Sequence, residues 1–376
     1  MDQEYRICSR CIMDTTVPDI TFDEKGVCNY CTQYHERAKK EVHYNTESGQ
    51  RKLDKLVEAI KKEGKNKEYD CIIGLSGGVD SSMVAYTVKK LGLRPLGVHL
   101  DNGWNSEISV KNVENIVKKL GIDFYNYVID WEEMKDLHLS FLKASIANSE
   151  NPTDHGITAF LFRLADKKGI RFIITGSNIA SEGILPASWM YDQLDWKHVK
   201  AIHKIFGTVK LKTFPHMSIF DLVYLVMIKR IIFLPILNYF PYNRKEAMQL
   251  LEKELGWNYY GMKHFESIYT RFFQAHILPK KFNIDKRKAH FSTLICSGQM
   301  TREEALQAME RDIYPAEQLE EDKKYVIKKL GITPDEFEKI MSEPVRNALD
   351  YPNNQFLFST FSFFVKLAKK MATYNY

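Results

Sequence analysis

Short apolar runs alternate with apolar residues at helical spacing through the middle of the chain. The run Cys71-Ile72-Ile73-Gly74-Leu75 predicts a buried strand, and residues 83–88 predict the helix after it, closed at Leu91-Gly92-Leu93. Residues 95–101 predict a second strand, 124–129 a third and 172–176 a fourth. Between them, Val110, Val113, Ile116, Val117 and Leu120 recur on one helical face up to Gly121, and a further helix over 158–168 stops at Gly169. Ahead of this region Leu53, Leu56, Val57 and Ile60 mark a helix ended by Gly64. Strands alternating with glycine-terminated helices predict an α/β fold with a doubly wound parallel sheet.

From about residue 214 the strand signal fades, and helices are expected over 244–257, 301–311, 316–330 and 334–350. Thr301-Arg302-Glu303-Glu304 and Thr333-Pro334-Asp335-Glu336 carry the capping pattern of helix starts. Residues 217–240 are strongly apolar, but Asp221, Lys229 and Arg230 interrupt them and Pro235 follows, so a buried or partner-facing helix pair is expected and no transmembrane segment. Phe356, Leu357, Phe358, Phe361, Phe363, Phe364, Val365 and Leu367 suggest a core or subunit-facing helix. The first residues read Met1-Asp2-Gln3-Glu4-Tyr5-Arg6 with no apolar run, so a cytoplasmic protein is expected.

Composition narrows the function classes. A length of 376 residues suits two to three domains, and 44% hydrophobic with 27% charged residues is ordinary globular usage. The net charge of +5 suits anionic ligands but falls short of a nucleic-acid binder, so no nucleic-acid partner is expected. Six cysteines are too few for a secreted disulfide scaffold, and four of them lie within the first 31 residues.

Those four form two knuckles, Cys8-Ser9-Arg10-Cys11 and Cys28-Asn29-Tyr30-Cys31. Each pair can turn back on one ion, and two pairs complete a tetrahedral thiolate shell. Zinc is favoured over an iron–sulfur cluster or a redox dithiol; a closed shell folds its module and offers no open catalytic position. Cys71 and Cys296 read as isolated small hydrophobes. The expected units are a zinc module over 1–50, an α/β domain over 51–213 and a mostly helical substrate or partner region over 214–376.

Between the first strand and its helix lies Ser76-Gly77-Gly78-Val79-Asp80-Ser81-Ser82, where backbone amides and the positive helix end converge on an anion. Asp80 next to a polyphosphate makes electrostatic sense with Mg²⁺ between them. The lysine of a GxxxxGK[ST] loop and the third glycine of GxGxxG are both missing.

The septet resembles the pyrophosphate (PP) loop of the HUP-like ATP pyrophosphatases, which include asparagine synthetase, GMP synthetase and tRNA-thiolating enzymes. That resemblance implies ATP bound through Ser76, Gly77, Gly78, Asp80, Ser81 and Ser82, with Asp80 and Ser82 in catalytic roles. Residues 7–16, the phrase Gly97-Val98-His99-Leu100-Asp101-Asn102-Gly103-Trp104, and residues 282–290 are similar to the N-acetyl sugar amidotransferases of bacterial surface polysaccharide (O-antigen) synthesis. The likeness implies that the acetamido carbonyl of a UDP-N-acetyl sugar is adenylated and that ammonia then displaces AMP to give an acetamidino sugar. A glutaminase subunit, with or without a cyclase-like subunit, would supply the ammonia, because the chain offers no convincing cysteine nucleophile of its own. The competing reading is a tRNA-thiolating enzyme, against which stand the modest positive charge and the lack of extra catalytic cysteines.

Further candidates follow from position. Thr175 and Gly176 end the fourth strand, where ligands gather in a doubly wound sheet. Asp101, after the second strand, is a candidate nucleoside contact or a simple turn residue. Glu182 is a candidate second magnesium ligand beside Asp80, as similar positions are in related pyrophosphatases, or else a solvated loop glutamate. Lys280, Lys281, Lys286, Arg287 and Lys288 form a basic cluster that either meets phosphate charge, with Lys286 and Arg287 in catalytic roles, or is a solvated face. Arg271, flanked by aromatic residues, is expected to be buried and paired.

Overall fold

The computed structural model describes residues 4–44, 46–263, 265–313 and 315–360. Five strands, β1 (Cys71–Gly74), β2 (Pro95–Asp101), β3 (Asp123–Val128), β4 (Phe172–Thr175) and β5 (Ile232–Pro235), form one sheet in the order β3-β2-β1-β4-β5. All four pairings are parallel, with Ile72 opposite Leu96 on one side and Ile173 on the other. The strand order reverses between β1 and β4, which opens a crevice at their carboxyl ends.

Side chains alternate across a strand, so successive isoleucines serve opposite faces. Ile72 and Ile173 join a core with Ala159, Phe162 and Ala165 of the helix Asn151–Lys168. Ile73 and Ile174 join another with Val84 and Val88 of the helix Val79–Lys90 and Leu251 of the helix Arg244–Leu255. The near-continuous apolar runs of the central strands thus reflect burial on both faces.

β5 departs from the sequence reading. The stretch expected to be a helix pair holds only the short helix Ile219–Val223 and a π turn, Tyr224–Ile228; Arg230 then adopts a left-handed conformation (φ 56°) and the chain runs into β5. A short apolar run between charges cannot be assigned to strand or helix by periodicity alone. Pro235 is tolerated because β5 lies at the sheet edge. The sheet therefore draws on chain beyond residue 213. Among the described residues, no helix is long and apolar enough to cross a membrane.

The cysteine module does not stand alone. Cys8, Cys11, Cys28, Cys31, Met13 and Tyr34 share one apolar core with Phe272, Phe273, Val326, Leu330 and Phe337 from the helical region, so the two ends of the chain fold as one body. The helix Lys286–Cys296, legible in the sequence only as a charge cluster, is the main joint. From it, Lys288 Nζ reaches Asp14 Oδ2 at 2.6 Å and Ser292 Oγ accepts from the Ile12 amide. Burial opposes ionisation of Asp14, but Lys288 and Thr16 outweigh it and hold the carboxyl below its ordinary value. That tie is complete above about pH 4 and is lost as pH falls through the lowered value.

Arg271 is buried and paired as expected, donating from Nε and Nη2 to Asp322 at 2.7 and 2.8 Å. Phe356 is largely exposed and Leu357 partly so; Phe361, Phe363, Phe364, Val365 and Leu367 lie outside the described residues. Breaking a buried pair costs about 3–5 kcal/mol. Asp322→Ala should therefore lower stability by about that amount, seen as a lower urea midpoint with an unchanged m-value.

Candidate active site and metal centre

The glycine loop forms because its backbone has no room for side chains. Gly77 has φ +80°, and a Cβ there would lie 2.4 Å from the Ser109 carbonyl oxygen. Its own carbonyl accepts from Trp257 Nε1 at 2.9 Å and from Asn112 Nδ2 at 3.3 Å. Gly78 caps the helix Val79–Lys90; its amide donates to Ser76 Oγ at 3.2 Å and the Val79 amide to the Tyr260 hydroxyl at 3.3 Å. Gly176, after β4, packs so closely that a Cβ would stand 3.0 Å from the Asp80 carbonyl carbon. The sequence-predicted loop and strand end therefore meet at the crevice.

Asp80 is the electrostatic centre. Its carboxylate accepts from Lys263 Nζ at 3.1 Å, from the Tyr242 hydroxyl and from Ser181 Oγ at 3.4 Å. Burial opposes its charge, but Lys263, Tyr242 and Arg244 outweigh that and hold the carboxyl below the usual carboxylate range. Lys263 also meets Glu182 Oε1 at 2.9 Å. Burial raises the Glu182 carboxyl despite that contact, so Asp80 holds the firmer negative charge of the two.

The structure thus brings Asp80 and Glu182 together, as expected of a magnesium pair, but around an ammonium. The counter-charge of the two carboxylates is already supplied from within the chain, and a divalent ion fits between them only with Lys263 displaced. Sequence reading missed Lys263, Tyr242 and Arg244, which carry no motif and come from segments remote from the loop.

Arg244 is the least satisfied cation here: its Nε and Nη2 atoms are buried without a hydrogen-bond partner. It lines a recess of about 190 Å³ with Ser76, Gly78, Ser81, Lys263 and Glu266. Glu266 also keeps Oε2 unpartnered, and burial pushes its carboxyl up to about 7. The segment bearing it is fixed by the Ser106 amide, which donates to the Glu266 carbonyl at 2.9 Å, and by the Ile268 amide, which donates to the Trp104 carbonyl at 2.8 Å.

A larger cavity of about 760 Å³ adjoins the loop through Ser76 and Ser81 and extends past His99 and Asn102 to Asp154 and Lys286. The His99 ring is fixed as the Nδ1–H tautomer, donating to the Leu75 carbonyl at 2.6 Å while Nε2 accepts from Asn105 at 3.0 Å.

The other predicted residues divide. Ser76, Ser81, Gly78 and Gly176 line the recess, whereas Ser82 is fully buried with its hydroxyl donating to the Gly78 carbonyl at 2.6 Å. Asp101 accepts from the Gly103 amide at 2.8 Å and from Asn105 Nδ2 at 3.0 Å, acting as the turn residue. Thr175 ends β4 opposite Pro235. Lys286 lines the large cavity, but Arg287 is engaged by Asp285 and the Arg311 carbonyl, so the basic cluster does not act as one patch.

The four N-terminal sulfurs lie within 4.8 Å of one another, all buried. Cys8 and Cys31 are 3.9 Å apart and Cys11 and Cys28 3.7 Å, close to the edge of a tetrahedron whose metal–sulfur bonds are about 2.3 Å. The Cys28 and Arg10 amides point at Cys8 Sγ at 3.2 and 3.4 Å, the donors a thiolate needs. The quartet fits a structural zinc ion. Cys296 is not isolated: its sulfur lies 3.7 Å from Cys31. None of the six cysteines lines the large cavity, and Cys71 is buried in β1 with its thiol pushed up by desolvation.

Two outcomes follow from this geometry. Asp80→Ala should cost ATP turnover about 10²–10³-fold, with zinc content by mass spectrometry unchanged, since no contact joins Asp80 to the quartet. Stripping the metal with a chelator at mildly acid pH should lower the melting temperature of the whole chain in one transition, because the quartet shares its core with the C-terminal helices.

Residues 50–185 match the NAD synthase family, and residues 266–368 match the family described as LPS biosynthesis protein WbpG-like, C-terminal domain. A tRNA(Ile)-lysidine synthase from Chlamydia pneumoniae is 31% identical over 119 residues, 30% of this chain and 34% of that protein. A tRNA-specific 2-thiouridylase from Serratia proteamaculans is 27% identical over 136 residues, 32% of this chain and 36% of that protein. The chain thus spans about a third of the length of these curated relatives. Among solved structures, an NH3-dependent NAD synthetase from Campylobacter jejuni aligns with 76% of this chain and 97% of its own, at TM-score 0.31 and 15% identity. A NAD synthase-type region around the glycine loop and a WbpG-like, LPS-biosynthesis-type region after it together support placing the chain within the PP-loop ATP pyrophosphatases.

Proposed function

We propose that the protein is the synthetase subunit of an amidotransferase, which adenylates the acetamido oxygen of a UDP-N-acetyl sugar and lets ammonia from a partner glutaminase displace AMP. The observation that carries the ATP half of this reading is the pair of Arg244 nitrogens, Nε and Nη2, buried beside the glycine loop with no hydrogen-bond partner among the described residues. Buried guanidinium N–H groups are costly to leave unmet, and a pyrophosphate group would satisfy them.

The chemistry matches the layout. An amide is a poor electrophile, and transfer of AMP to its oxygen makes that oxygen a good leaving group. The recess would take the departing pyrophosphate, with Arg244, Lys263 and the loop amides meeting the charge that develops on it. Ser76 and Ser81, shared by both cavities, would then lie where the α-phosphate meets the acceptor. Magnesium arriving with ATP would supply further charge neutralisation to the phosphates.

The large cavity is roomy enough for a nucleotide sugar, and the WbpG-like match favours such an acceptor. The absence of cysteine from its lining supports an external source of ammonia. The curated relatives include tRNA-modifying enzymes, but each match covers about a third of this chain.

Incubated with ATP, Mg²⁺ and a panel of nucleotide sugars, the purified protein should release pyrophosphate only with a UDP-N-acetyl sugar. With ammonium salts it should form the amidine, seen by mass spectrometry, even without a glutaminase. Release of ADP and orthophosphate, or thiolation of tRNA, would contradict the proposal. Lys263→Met should lower pyrophosphate release by about 10²–10³-fold while leaving the circular dichroism spectrum unchanged.

A further inference from the structure

The large cavity has a second polar wall that the ATP half of the reaction leaves unused. The helix Asn151–Lys168 presents Asp154 there, with Glu150 one turn earlier. Glu150 Oε2 accepts from Gln274 Nε2 at 3.0 Å and lies 3.8 Å from Lys286 Nζ. Asp154 is different. Desolvation and the neighbouring Glu150 raise its carboxyl, Lys286 opposes them, and no hydrogen bond from the described residues reaches it.

The Asp154 side chain is half-buried and open to the cavity, and a carboxylate without a protein donor there is free to take a proton from whatever occupies that space. It faces the space into which the glycine loop also opens, on the wall lined by Lys286. The helix start itself favours negative charge, so desolvation and Glu150 act against the local backbone field.

We infer that Asp154 accepts the proton from the nitrogen nucleophile when it adds to the adenylated acetamido carbon. The inference rests on the amidotransferase reading. Ammonia adds through its lone pair, forming the new C–N bond as the C=N π pair moves to the sugar nitrogen. The adduct carries a positively charged –NH3 group, which passes one proton to the Asp154 carboxylate. The freed lone pair then forms C=N, and the C–O bond breaks with its electrons leaving on AMP. The product is the amidinium, and the proton returns to solvent from Asp154.

The charged groups around it suit the task. Glu150 discourages an early negative charge on Asp154, and Lys286 limits how far that goes; burial pushes the Asp154 carboxyl up to about 7. A base performs best when its pKa lies near the working pH. Lys263, Glu182 and Glu266 also line the cavity, but they belong to the loop side already described.

Sugar-dependent exchange of labelled pyrophosphate into ATP reports adenylation alone, while amidine formation reports both halves. In Asp154→Asn, exchange should persist at the wild-type rate while amidine formation from ammonium falls roughly 100-fold or more. Hydroxylamine, whose adduct sheds its proton far more readily, should recover much of that loss. Glu150→Gln should move the acidic limb of amidine formation to lower pH at constant free ammonia, because it removes the anion that raises Asp154. Equal losses in exchange and amidine formation, or no loss in either, would overturn the assignment. Failure of the wild-type protein to show any sugar-dependent exchange would instead remove the amidotransferase reading, and the inference with it.

Discussion

A carboxylate taken out of water must find positive charge or donors, and Asp80 is where the molecule meets that requirement. Its partners come from widely separated segments: Ser181 after β4, Tyr242 beyond β5, and Lys263 from the stretch before the helical region. Satisfying one buried charge therefore folds those segments over the glycine loop. Arg244 is carried in with Tyr242, and Glu266 with Lys263. The recess that results sets two cations, Arg244 and Lys263, against the carboxyl groups of Asp80, Glu182 and Glu266.

The same economy of contacts appears around the helix Lys286–Cys296. Its first residue lines the large cavity, Lys288 holds the N-terminal module through Asp14, Thr293 Oγ1 accepts from the Ile184 amide at 3.0 Å, and Cys296 touches Cys31. Metal centre and acceptor cavity thus share one rigid element. Four thiolates around one ion would leave no open coordination position for chemistry, but the quartet's integrity sets where this helix sits.

Much of the fold was legible from periodicity. The first four strands, the helices after the first two of them, the one leading into the fourth and the glycine-ended turns followed from apolar patterns, whereas the helix Trp131–Ala144 went unread. β5 was not, because four apolar residues beside Lys229 and Arg230 look alike as strand or helix end. Nor was the helix Lys286–Cys296, whose charged start hides a cap: the Asp285 side chain accepts from the Arg287 amide. In the site, the loop and the cysteine spacing were readable because their chemistry is local in sequence. Lys263, Arg244 and Asp154 were not, since a single Lys, Arg or Asp announces nothing until the fold brings it against a distant partner. Glu182 stands between these cases: its meeting with Asp80 was anticipated, and the ammonium between them was not.

The core shared by the two ends of the chain has a consequence for synthesis. The cysteine knuckles leave the ribosome well before Phe272, Val326 and Phe337, which bury them. Contacts so far apart in sequence are slow to form, and until they do the thiols stand open to oxidation or to a competing metal. Burial of the cluster is therefore tied to synthesis of the helical region, and a nascent protein stalled before Phe272 would expose thiols that the folded one conceals.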